Sequence, residues 1–92
     1  MELSNEKDID NLCRAVLSLE NEDECRKFFE DVLTPKEISD IAQRLKAAYM
    51  LKDGRSYLEV SLETGMSTAT ISRVSKALER GKGYKLVIDR IK

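Results

Sequence analysis

Apolar residues in this chain recur almost only at helical spacing, and that periodicity sets the fold class. Ile9, Leu12, Cys13, Val16 and Leu17 occupy positions i, i+3, i+4, i+7 and i+8, and Cys25, Phe28, Phe29, Val32 and Leu33 repeat the series. This spacing gathers the apolar side chains into one stripe along a 3.6-residue helix. No stretch alternates apolar and polar residues as a strand does, and no internal repeat is visible. The expected class is all-α, with six helices.

Local signals place the ends. The first helix is expected over residues 5–18, and Asn21 caps the second. Thr34-Pro35-Lys36-Glu37 is the strongest start: a Thr cap, Pro at the first helical position and Glu three residues past the cap. The third helix should carry Ile38, Ile41, Ala42, Leu45 and Tyr49 on its inner face and end at Asp53-Gly54. A short helix around 57–64 stops at Gly65. The fifth helix runs from Thr68 to Glu79 with Ser67 as its cap and Ile71, Val74 and Leu78 inward. Beyond Gly81-Lys82-Gly83, a last short helix has Tyr84, Val87, Ile88 and Ile91 as its apolar face.

A chain of 92 residues makes one domain and buries a modest share of its surface alone. Two copies could bury the first two stripes against each other, so a dimer is expected, the alternative being a self-contained monomeric bundle. On that reading 1–33 are dimerisation helices, 34–54 a central helix, 55–80 the functional segment and 81–92 a C-terminal helix. Cys13 and Cys25 both fall on apolar stripes and read as ordinary buried thiols rather than a disulfide or redox pair. The chain has no His and no carboxylates clustered at ligand spacing, which argues against a metal site and a His-based catalytic constellation. A nucleotide-binding glycine loop and a paired-carboxylate cleft are also missing, so no enzyme is expected. No apolar run reaches the roughly 18 residues of a membrane helix, and no secretion signal opens the chain, so the cytoplasm is the expected location.

The net charge of −1 conceals a split. Residues 1–33 hold ten acids and four bases, net −6, and residues 34–92 hold seven acids and twelve bases, net +5. A basic face suits a polyanion, although solvated helix faces of either sign give the same count.

Tyr57 to Lys76 has the spacing of a helix-turn-helix. Val60 and Thr64 lie inward on its first helix, small Ser61 falls at the crossing, and Gly65 takes the turn. Met66, Ile71 and Val74 plug the corner, a pattern unrelated helical hairpins share. The second helix then presents Ser67, Thr68, Ala69 and Thr70 at its N-terminus, the part of such a helix that meets base edges in a major groove. Their hydroxyls and methyls suit base contacts. Ser72, Arg73, Lys76 and Arg80 are placed to reach phosphates, with Lys82 and Lys85 nearby. A plain surface stripe would not explain why no acid occurs from Gly65 to Leu78.

Leu33-Thr34-Pro35-Lys36-Glu37, then Gln43-Arg44-Leu45, Asp53-Gly54 and the Ala69-Thr70-Ile71-Ser72-Arg73 core resemble the tryptophan repressor superfamily, more narrowly its YerC/YecD-type branch. The match spans about residues 32–80. The resemblance implies an intertwined homodimer of helical chains that binds double-stranded operator DNA as a transcriptional regulator, a repressor. It also implies an effector pocket in which Arg44 and Arg73 flank an indole, with Thr34 on the wall. Two departures argue against tryptophan as effector. Val74 stands where the repressor has glycine, and Ala77 where a serine helps hold the ammonium. No cofactor is therefore expected. The competing reading is an adaptor of the transcription machinery, whose basic patch meets an acidic protein.

Overall fold

The computed structural model describes residues 5–91, which form α1 (Glu6–Leu17), α2 (Glu22–Val32), α3 (Pro35–Lys52), α4 (Tyr57–Thr64), α5 (Thr68–Arg80) and α6 (Gly83–Ile91). The chain divides into two compact units, the first ending at Ile38 and the second beginning at Ser39.

In the first unit, side-chain caps set each helix start. Asn5 Oδ1 accepts from the Lys7 and Asp8 amides at 3.1 and 3.3 Å, and Asn21 Oδ1 accepts from the Glu24 amide at 2.9 Å. Thr34 and Glu37 close the expected capping box, since the Thr34 hydroxyl accepts from the Glu37 amide and Glu37 accepts from the Thr34 amide. These bonds satisfy amides that the first helical turn leaves without partners. The pairs Glu22–Arg26 (3.5 Å) and Asp23–Lys27 (2.9 Å) lie one turn apart on the α2 surface. At that exposure each contributes about 0.3–0.5 kcal/mol.

Neither α1 nor α2 has a buried residue. Leu17 is 82% exposed, Val32 56% and Leu12 48%. This corrects the expectation for the cysteines: Cys13 is exposed and Cys25 half-buried. Both do lie on apolar stripes, but neither is buried.

The second unit holds the core. Ala47, Ala48, Met50, Val60, Ile71, Val74 and Ile88 are buried together, with Tyr49, Leu51, Met66, Leu78 and Tyr84 packed against them. α5 lies between α4 and α6, packing on both. Here α3 departs from the expected inner face. Ile41 is half exposed and Ala42 exposed, and the core takes Ala47, Ala48 and Met50 instead. At 100° per residue the two sets lie about half a turn apart around the helix. The run Ala47-Ala48-Tyr49-Met50-Leu51 is apolar all round. The core therefore buries the face opposite the long stripe. On α6 only Ile88 is buried, and Val87 and Ile91 stay exposed.

Candidate nucleic-acid interface

α4 begins with Ser56, whose hydroxyl accepts from the Glu59 amide at 3.1 Å while Glu59 accepts from the Ser56 amide at 3.3 Å. Arg55 closes over this cap, its Nε 2.8 Å from Glu59 and its Nη2 3.7 Å from Glu63. The Glu59 carboxyl is held below its ordinary value of 4.5, first by the Ser56 amide, then by Arg55 and the Ser56 hydroxyl. The acids at 59 and 63 are thereby both tied to Arg55.

The corner follows. Gly65 sits at φ 76°, ψ 5°, in the left-handed region, and its amide donates to Ser61 O at 2.8 Å. Only glycine enters that region without a steric cost. Ser67 then caps α5, its hydroxyl accepting from the Thr70 amide at 3.2 Å. The corner places Val60 of α4 and Ile71 and Val74 of α5 in one core, with Met66 against it, as the spacing predicts.

What α5 turns outward is polar or cationic. Ser67, Thr68 and Ala69 are exposed, and Thr70 is half-buried with its Oγ1 3.0 Å from Ser67 Oγ. Arg73, Lys76 and Arg80 are exposed and spaced i, i+3 and i+7, so they share one face of the helix. Ser72 is half-buried. No acid lies in the first turn of α5, so the positive end of its dipole is uncompensated. Of the more distant bases, Lys85 is engaged, its Nζ donating to Glu79 O at 2.9 Å near the end of α5.

The arginines of the expected pocket do meet. Arg44, Arg73, Thr70, Val74, Ala77 and Tyr84 line an open cavity of about 220 Å³. Arg44, Ala77 and Tyr84 also border an apolar groove of about 520 Å³, with Ile41, Leu45 and Val87 among its walls. Thr34 lies in the first unit, where its hydroxyl serves the α3 cap. Sequence reading missed Tyr84 as a wall, because its helical spacing marked it only as core. It also missed the hydroxyls of Ser61 and Thr64, read only for size and position. Thr64 Oγ1 donates to Val60 O at 2.6 Å and accepts from the Met66 amide at 3.2 Å, and Ser61 Oγ donates to Met66 O at 2.9 Å.

Among the described residues no group of His, Cys, Asp or Glu could hold a metal ion, and no helix is long and apolar enough to cross a membrane.

Two helices meeting at a left-handed glycine, the second exposing hydroxyls and cations, have the form of a helix-turn-helix, and its relatives mark the chain as a DNA-binding regulator of that kind. The chain belongs to the Trp repressor protein family, whose model matches residues 7–92. It is 46% identical over 87 residues to the uncharacterized YerC protein of Bacillus subtilis, covering 94% of this chain and 84% of that one. Its fold matches the crystal structure of a TrpR-like protein from Eubacterium eligens with a TM-score of 0.88 at 45% identity, over 92% of this chain and 89% of that one. A Trp repressor candidate from Staphylococcus aureus matches with a TM-score of 0.88 at 43% identity, over 95% of this chain and 88% of that one.

Proposed function

We propose that this protein is a homodimeric transcriptional repressor that reads a pseudo-palindromic operator with two copies of α5, one in each of two successive major grooves. The observation that carries this reading is the outward face of α5: exposed Ser67, Thr68 and Ala69 at its N-terminus, and Arg73, Lys76 and Arg80 aligned behind them. Small groups at the front allow the helix to approach base edges, with Thr70 beside them, and the cations and Ser72 behind meet phosphates. In a two-fold dimer the two reading helices sit roughly 34 Å apart, one turn of duplex.

The dimer is supported by the uncovered stripes. Ile9, Leu12, Val16 and Leu17 on α1 and Phe29 and Val32 on α2 are all more than a third exposed. A second copy removes these stripes from water, making residues 1–33 the dimerisation helices.

The cavity between Arg44 and Arg73 argues against tryptophan as effector. Val74, 4% exposed, fills space beside the two arginines, and Ala77 offers no hydroxyl to an ammonium group. DNA binding is therefore independent of tryptophan. Selection of bound sequences from a random duplex pool, with and without tryptophan, tests the reading. It predicts one enriched pseudo-palindrome in both arms. No retention of any duplex at low salt by folded protein would replace it with a protein-binding role for the basic face.

A further inference from the structure

The hydroxyls of Ser61 and Thr64 latch the corner from which α5 projects. Met66 is the single residue between the turn glycine and the α5 cap, and both of its peptide groups are held by side chains from α4. Its amide donates to Thr64 Oγ1 at 3.2 Å, and its carbonyl accepts from Ser61 Oγ at 2.9 Å. Thr64 is anchored in turn, its own proton going to Val60 O at 2.6 Å. All three hydrogen bonds are partly buried, where competition from water is reduced. Apolar packing of Met66 against the core fixes the side-chain side of the same residue.

We propose that Ser61 and Thr64 are positioning residues for DNA discrimination: their hydroxyls set the direction in which α5 leaves the corner, and so the register of Thr68, Ala69 and Thr70 against base edges. The proposal rests on the reading of α5 as the DNA-recognition helix. Packing of Val60, Ile71 and Val74 holds the two helices together, but apolar contacts are non-directional and tolerate small rotations. Hydrogen bonds to both peptide groups of one linker residue do not. Base contacts require tighter alignment than phosphate contacts, which long flexible side chains reach from several angles. A loosened corner therefore loses discrimination before it loses affinity for duplex in general.

The test uses three single variants of the full chain and one double variant, Thr64→Val with Ser61→Ala. Thr64→Val removes the hydroxyl at nearly constant shape, Ser61→Ala removes the other, and Thr64→Ser keeps the hydroxyl while trimming the methyl. Each is measured for affinity to the sequence selected by the wild type and to random duplex, and for hydrogen exchange at the Met66 amide. For Thr64→Val and Ser61→Ala together, the ratio of specific to random affinity falls about tenfold while random-duplex affinity stays within about twofold. Thr64→Ser retains the wild-type ratio, and Met66 amide exchange accelerates in Thr64→Val only. A double variant that keeps the wild-type ratio, or loses both affinities equally while remaining folded, overturns the positioning role. If the wild type itself selects no sequence, the recognition reading fails, and the proposal falls with it; that outcome is separate from the variants.

Discussion

Gly65 and Gly81 are both glycines at helix ends, yet the structure assigns them opposite reasons, and alanine at each position separates the two. At Gly65 φ is +76°, and a Cβ built there meets nothing within 4 Å. The cost of Gly65→Ala is therefore conformational. Holding an L-residue in the left-handed region costs about 1–2 kcal/mol. Against that, alanine narrows the unfolded ensemble, which returns about 0.4–1 kcal/mol. The net loss is roughly 0–1.6 kcal/mol, equivalent to a fall in Tm of at most roughly 8 °C for a chain of this size. D-alanine at position 65 has the opposite handedness preference and the same reduced freedom when unfolded, so it stabilises by about 0.4–1 kcal/mol. At Gly81 the backbone is ordinary, with φ −82°, but the added Cβ would stand 2.6 Å from the carbonyl oxygen of Ala77, which already accepts the Gly81 amide at 2.8 Å. Backbone there must move, and the expected loss for Gly81→Ala is about 1–3 kcal/mol. The assay is denaturant unfolding followed by circular dichroism, at one protein concentration and with the slope m checked for constancy. A loss above about 3 kcal/mol for Gly65→Ala, or destabilisation by D-alanine there, would refute an open, left-handed corner.

Arg73→Ala should weaken binding to every duplex alike and flatten the salt dependence, whose wild-type slope is about −7 if each half of a dimer neutralises about four phosphates. Thr70→Ala should chiefly alter base preference, by about 1–3 kcal/mol at one position; equal losses on all sequences would count against its role. The depressed Glu59 carboxyl stabilises the start of α4 above the ordinary carboxylate range, and this is lost as pH falls below 4.5 through the lower folded value. Glu59→Gln should therefore make the chain less stable at neutral pH and less sensitive to acid, a difference read from paired urea titrations. Finally, the proposed dimer, in which a second copy would cover the exposed α1 and α2 stripes, predicts that Tm rises with protein concentration and that Leu12→Glu lowers that dependence; a Tm that ignores concentration would argue for a monomer.

Helix ends were the most legible part of this sequence, because caps are local chemistry. Asn21, Thr34 and Ser67, the caps read from the sequence, each bond an amide three residues ahead, so the signal and its structural cause share the same few residues; Asn5 and Ser56 cap in the same way but were not singled out. The corner was legible for the same reason: Gly65 needs no distant partner to make positive φ favourable. The face of α5 was also readable, since Ile71 and Val74 go inward and Arg73 and Lys76 cannot follow them. The Ser61 and Thr64 hydroxyl bonds, though local, carry no cap-like signature, and the rest of what the sequence did not show depends on groups far apart in the chain. Tyr84 reaches the wall beside Arg44 and Arg73 because α6 packs on α5, and spacing within α6 carries no information about that packing.

The α3 helix shows why periodicity stops short of burial. Its long stripe from Ile38 to Tyr49 is real, yet the core of the second unit is built on Ala47, Ala48 and Met50 from the other side. A hydrophobic period identifies which residues share a face, not what covers that face. On α3 the buried set pairs two small side chains, Ala47 and Ala48, both fully covered, with the long, flexible Met50, 7% exposed. The long stripe is left to border the apolar groove through Ile41 and Leu45. The same reasoning applies to α1 and α2, whose stripes are as regular as any in the chain and contain no buried residue. An apolar stripe that one chain leaves in water is a demand for another surface, and the acidic first third makes that demand with Ile9, Leu12, Val16 and Leu17 on α1 and Phe29 and Val32 on α2. The basic face of α5, kept clear of acids from Gly65 to Leu78, carries the opposite charge and lies in the second unit. On the proposed reading, assembly and nucleic-acid contact draw on separate stretches of the 92-residue chain, the acidic first third and the basic face of α5.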